Sequence, residues 1–60
     1  MGAKFKVYED TNNEFRWTLV AANGQAIATS GEGYKSMDGA KAGIESVKKN
    51  ASAAEVQEES

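Results

Sequence analysis

Sixty residues carrying a formal charge of −2 make one small domain, and without cysteine or histidine it has no disulfide or soft metal ligand to support it. A chain this short buries only about 60% of the surface its unfolded form exposes, so pairing with a second copy is the expected remedy. The same composition excludes Ser-His-Asp and Cys-His catalysis, and no segment is apolar for long enough to cross a bilayer or form a signal-peptide core.

Along the chain, residues 4–9 alternate, with Phe5 and Val7 on one face and Lys4, Lys6 and Tyr8 on the other, as in a half-buried strand. Asp10-Thr11-Asn12-Asn13 clusters turn formers and ends that strand. Residues 15–22 read as the longest strand. Phe15, Trp17, Leu19 and Ala21 point one way; Arg16, Thr18, Val20 and Ala22 point the other. Asn23-Gly24 signals a two-residue hairpin of type I′, whose two central residues both need positive φ. That loop sets Ala21 opposite Ala26, Val20 opposite Ile27, Leu19 opposite Ala28 and Trp17 opposite Ser30. Opposed residues share a face. One face therefore collects Phe15, Trp17, Leu19, Ala21, Ala26 and Ala28, and its small alanines leave room for a helix to lie against it.

Residues 30–35 form a loop by glycine content. Ser36 reads as an N-cap, with Asp38 in the first turn, where the helix dipole favours a negative charge. Met37, Ala40, Ile44, Val47 and Ala51 recur at three- and four-residue steps and make one apolar stripe. Glu45 is placed to pair with Lys49, and Asn50 to cap the C-terminus. Gly39 and Gly43 each cost roughly 1 kcal/mol of helix propensity, which marks a close approach by the sheet or a second helix. Residues 52–60 hold Glu55, Glu58 and Glu59 with no base, so an acidic, disordered tail is expected there beyond a domain spanning 1–51. Its charge favours solubility.

The expected fold is thus α+β, a three-stranded antiparallel sheet followed by one C-terminal helix (β-β-β-α). One helix covers one face of such a sheet, yet Val20, Ile27 and Tyr8 lie on the other. A homodimer would cover them and protect the exposed edges, which makes Val20, Ile27, Tyr8 and the loop residue Tyr34 the candidate interface.

Taken together, Phe15-Arg16-Trp17, Ala21-Ala22-Asn23-Gly24, Ser30-Gly31-Glu32-Gly33-Tyr34 and the run from Gly43 to Ala51 resemble the YegP-like family, small proteins built on a domain of unknown function. The resemblance implies a β-β-β-α unit that occurs as one copy in a homodimer or as two tandem copies in a longer chain. It implies no catalytic residue, because the family has no established activity. The acidic extension falls outside its pattern.

Three chemistries find partial support in the residues. Gly31-Glu32-Gly33-Tyr34-Lys35-Ser36 occupies the place of a phosphate loop, but it lacks the Walker pattern and puts Glu32 where a phosphate would sit, so a structural loop is the better reading. Phe15 and Trp17 with Lys4, Lys6 and Arg16 suggest a stacking platform for single-stranded nucleic acid; core packing explains the aromatics better, since Arg16 points away from Trp17. Asp10, Asn12 and Glu14 alternate like calcium ligands without completing a calcium loop, and turn chemistry accounts for them. The sequence therefore predicts a cytoplasmic, non-enzymatic homodimer with a binding or structural role, no cofactor, no metal and no membrane association. A weak single-stranded nucleic-acid binder is the alternative.

Overall fold

The computed structural model describes residues 2–59, so Met1 and Ser60, the outer ends of the expected domain and tail, lie outside the described residues. Strands β1 (Lys4–Glu9), β2 (Phe15–Val20) and β3 (Ala26–Thr29) precede one helix, α1 (Met37–Ala51). The sheet is antiparallel in the order β1-β2-β3, which leaves β1 and β3 as its edges.

Between β1 and β2 the ladder is regular, with Phe5 opposite Leu19, Lys6 opposite Thr18 and Val7 opposite Trp17. Phe5, Val7, Trp17 and Leu19 thereby share the face that α1 covers. Phe5 meets Trp17 edge-on, with ring centroids 5.3 Å apart and planes at 79°, an arrangement the aromatic quadrupole favours.

The second hairpin differs from expectation. Strand β2 stops at Val20, and the loop has three residues, Ala22, Asn23 and Gly24, closed by Ala21 and Gln25. The Gly24 amide donates to the Ala21 carbonyl at 2.9 Å, and the Ala21 amide donates to the Gln25 carbonyl at 2.8 Å. Only Gly24 takes positive φ, at 89°. A three-residue loop of this kind needs one left-handed residue, where type I′ needs two. Asn23 stays in the ordinary region, and its side-chain oxygen accepts from the Gln25 amide at 3.0 Å. The longer loop shifts the register by one, so Val20 faces Ala26. A bulge at Ile27 then restores the expected pairs, Leu19 with Ala28 and Thr18 with Thr29. Ala26 consequently joins Val20 on the open face, away from the expected core.

After β3 the chain loops out and returns at Tyr34, which bridges Phe15 through two backbone hydrogen bonds of 2.8 Å. Ser36 caps α1 as the sequence indicates, its hydroxyl accepting from the Gly39 amide at 3.0 Å. The helix continues one residue past Asn50 and is capped by Ser52. Asn50 turns its side-chain amide inward along the helix instead, donating to the Ser46 carbonyl at 2.8 Å. Glu45 pairs with Lys48, three residues on, at 3.6 Å.

Helix α1 lies over β2 and β1 and makes no comparable contact with β3. Its apolar stripe is buried only in the middle, at Ala40 and Ile44, against Trp17, which is 5% exposed. Residues 53–59 form no strand or helix and are exposed throughout.

Candidate interaction surface

Three features of this surface follow from how the strands are laid out. The first is β3. All four of its residues, Ala26, Ile27, Ala28 and Thr29, are exposed, and none carries a charge. Its outer edge is unpaired, and α1 stops short of it. Natural edges are commonly blunted by lysine, proline or a cover. At the other edge β1 carries Lys4 and Lys6, whereas β3 carries no such guard.

The bulge decides what happens to the one large residue of β3. Had the register set by the loop continued unbroken, Ile27 would stand opposite Leu19 on the helix side. The bulge gives that place to Ala28 and leaves Ile27 60% exposed.

The second feature is the open face. Lys4, Lys6 and Tyr8 from β1 lie beside Val20, Thr18 and Arg16 of β2, in register and without a covering helix. The four candidate interface residues separate here. Tyr8 is 45% exposed and Ile27 remains in solvent, but Val20 is only 8% exposed within a single copy. Val20 lies between Lys4 on one neighbouring strand and Ala26 on the other, so it no longer calls for a second copy to cover it.

Tyr34, the fourth, is half-buried against its own helix. A side chain added at Gly43 would meet the Tyr34 hydroxyl and come within 2.9 Å of its ring carbon Cζ. One at Gly39 would lie 3.6 Å from Tyr34 Cβ. The two helical glycines thus admit the Tyr34 ring, where the sequence suggested the sheet or another helix. A helix that carries glycine four residues apart leaves a shallow channel on one face, and an aromatic ring fills it.

The third feature is the first turn. One carboxylate oxygen of Asp10 accepts from the Asn12 amide at 2.8 Å and the Glu14 amide at 3.0 Å; the other accepts from Arg16 Nε at 2.6 Å. The hydrogen bond from Arg16, followed by that from the Glu14 amide, holds the Asp10 carboxyl below its ordinary range, and the same contact raises Arg16. Asp10 is a turn-forming residue engaged by its own loop. Among the described residues no group of three or more acidic, histidine or cysteine side chains converges as metal ligands do, and no helix is long and apolar enough to cross a membrane.

The aromatic platform considered for nucleic acid does not form. Trp17 faces α1 and is buried, and Phe15 is half-buried beneath the Tyr34 bridge. The cations on the open face therefore have no exposed indole beside them.

Residues 10–58 match the family model described as a domain of unknown function, DUF1508. The chain belongs to the DUF1508 family. A UPF0339 protein of Treponema denticola is 52% identical over 58 residues, which cover 97% of this chain and 98% of the relative. One from Methanosarcina acetivorans is 53% identical over 49 residues, 82% of this chain and 83% of the relative. A third, from Stutzerimonas stutzeri, is 55% identical over 51 residues, and there the match spans 85% of this chain but 45% of the relative. The DUF1508 chain also superposes on the NMR solution structure of a protein from Haloferax volcanii with a TM-score of 0.89, at 52% identity and 97% coverage of both. These comparisons establish the family resemblance and the three-strand, one-helix fold, but the family match runs through residue 58 and so takes in most of the acidic extension expected to lie outside the family pattern.

Sequence reasoning placed Ile27 on the open face by a different register, opposite Val20, and missed the bulge that leaves it in solvent, because a bulge leaves no mark in composition. It also missed the partner of Gly39 and Gly43. The signal was present in their four-residue spacing after an aromatic loop residue, but spacing alone does not say which ring enters the channel.

Proposed function

We propose that this DUF1508 chain is a cytoplasmic, non-catalytic binding or structural module that works as a homodimer, with β3 of each copy at the interface. The observation that carries the reading is the bulge. Fully burying an isoleucine stabilises a protein by roughly 1.5–3 kcal/mol, yet the chain breaks its ladder at the position that leaves Ile27 in solvent. An unguarded, uncharged edge beside an exposed isoleucine suits pairing with an identical edge about a twofold axis. Tyr8, exposed on the far strand, would extend the surface. The non-catalytic part is supported by the residue inventory, which holds no histidine or cysteine.

Light scattering coupled to size exclusion tests the dimer. The expected mass is twice the 6.4 kDa of one chain, and Ile27→Lys is expected to reduce it to one copy, with the helix content of the wild type. A wild-type mass of a single chain at high micromolar concentration would overturn the proposal.

A further inference from the structure

Beside the second hairpin the open face holds a cleft of about 260 Å³. Lys4 and Lys6 line one side, Ala21, Ala22 and Gly24 the other, and Val20 is the buried residue between them. Lys4 and Lys6 are two positions apart on one strand, so they emerge from the same face about 7 Å apart. Neither takes part in an ion pair among the described residues, where the pairs are Arg16 with Asp10 and Lys48 with Glu45.

The distribution of acids explains why. Residues 15–31 contain no aspartate or glutamate. In β1 the first acid is Glu9, whose place in the alternation sends it to the opposite face from Lys4 and Lys6. Asp10 is already engaged by Arg16, and Asp38 and Glu45 belong to the helix on the far side of the sheet. Lys4 and Lys6, neither in an ion pair among the described residues, border a hollow with an aliphatic floor.

We infer that this cleft binds a small organic anion, its charged head between Lys4 and Lys6 and a short aliphatic body over Val20, Ala21 and Ala22. At roughly 30 Å³ per water the cleft equals about nine water volumes, room for a head group with a few carbons. No aromatic side chain lines it, so nothing there would stack on a nucleobase. Lysine ammonium groups act as point charges, so they recognise the charge of the head without dictating its shape. No residue of β3 lines the cleft.

An NMR titration of the full isotope-labelled chain at low salt tests this, with hexanoate, acetate and hexanol as probes. Hexanoate is expected to give saturable shifts at the amides of Lys4, Lys6, Ala21, Ala22 and Gly24. Acetate, lacking the aliphatic body, should bind at least about tenfold more weakly, and hexanol, lacking the charge, should bind more weakly as well. The double variant Lys4→Gln, Lys6→Gln should lose at least about tenfold in hexanoate affinity, while Lys48→Gln, Lys49→Gln should keep it. Equal binding of acetate and hexanoate would overturn the inference, as would hexanol matching hexanoate on the wild type, a comparison that stands even if the double variant does not fold. Shifts spread evenly over Lys41, Lys48 and Lys49 would overturn it too.

Discussion

The turn at Asp10–Glu14 and the turn at Ala21–Gln25 have the same backbone. In each, the first residue's amide donates to the fifth residue's carbonyl at 2.8 Å, and the fourth residue's amide donates back to the first residue's carbonyl, at 3.1 Å and 2.9 Å. The fourth residue is left-handed in both, Asn13 at φ 62° and Gly24 at φ 89°. They differ in what secures them. The first is held by Asp10, whose carboxylate gathers two loop amides and Arg16. The second begins with alanine, which has nothing to offer, and relies on the glycine and on one bond to Asn23. The first also feeds a regular ladder, while the second needs a bulge to bring its strand back into phase. One turn shape therefore serves two sequences, through side-chain hydrogen bonds in the first and backbone freedom in the second.

The largest effect that would break this contrast is expected from Asp10→Ala, which strips three hydrogen bonds from the first turn. Its melting temperature should fall by more than that of any single change in the second turn. The pH dependence identifies the cause. The Asp10 carboxyl is held low in the folded protein, mainly by Arg16, against about 3.9 for a free aspartate. Its contribution is complete above that ordinary value and disappears as pH falls through the lower folded one. Melts at pH 7 and pH 2.5 should therefore show the gap between wild type and Asp10→Ala closing in acid, and a gap of constant size would refute the assignment.

Gly24→Ala ranks next. Nothing stands within 4 Å of a side chain added there, so the cost is that of holding an alanine in a left-handed conformation, about 1–2 kcal/mol in urea denaturation. Asn13→Gly should have the smallest effect, within about 0.5 kcal/mol, because asparagine already tolerates that conformation. A large gain from glycine at position 13 would mean that the first turn is strained despite its hydrogen bonds.

Much of this architecture can be read from the residues. Alternation places β1 and β2, and Ser36, Asp38 and the apolar steps place α1, because each of these signals is local. The position of the second hairpin is equally plain from Asn23-Gly24. Its length is not, since Gly24 alone satisfies the one left-handed site of a longer loop, and only the tertiary register shows which loop formed. Val20 illustrates the same limit. Its apolar character on a polar face suggested an unmet need for a partner, but two neighbouring strands already cover it. Of the four candidate interface residues, Ile27 and Tyr8 are the exposed ones, and their exposure follows from position at or near a sheet edge.

The chain has a single tryptophan, and it sits where the helix meets the sheet, edge-on to Phe5. Its emission should therefore report α1 docking without any label: blue-shifted while the helix is seated, and moving to longer wavelength when the helix lifts and solvent reaches the indole. A substitution that perturbs only the hairpins can then be told apart from one that undocks the helix in a single spectrum.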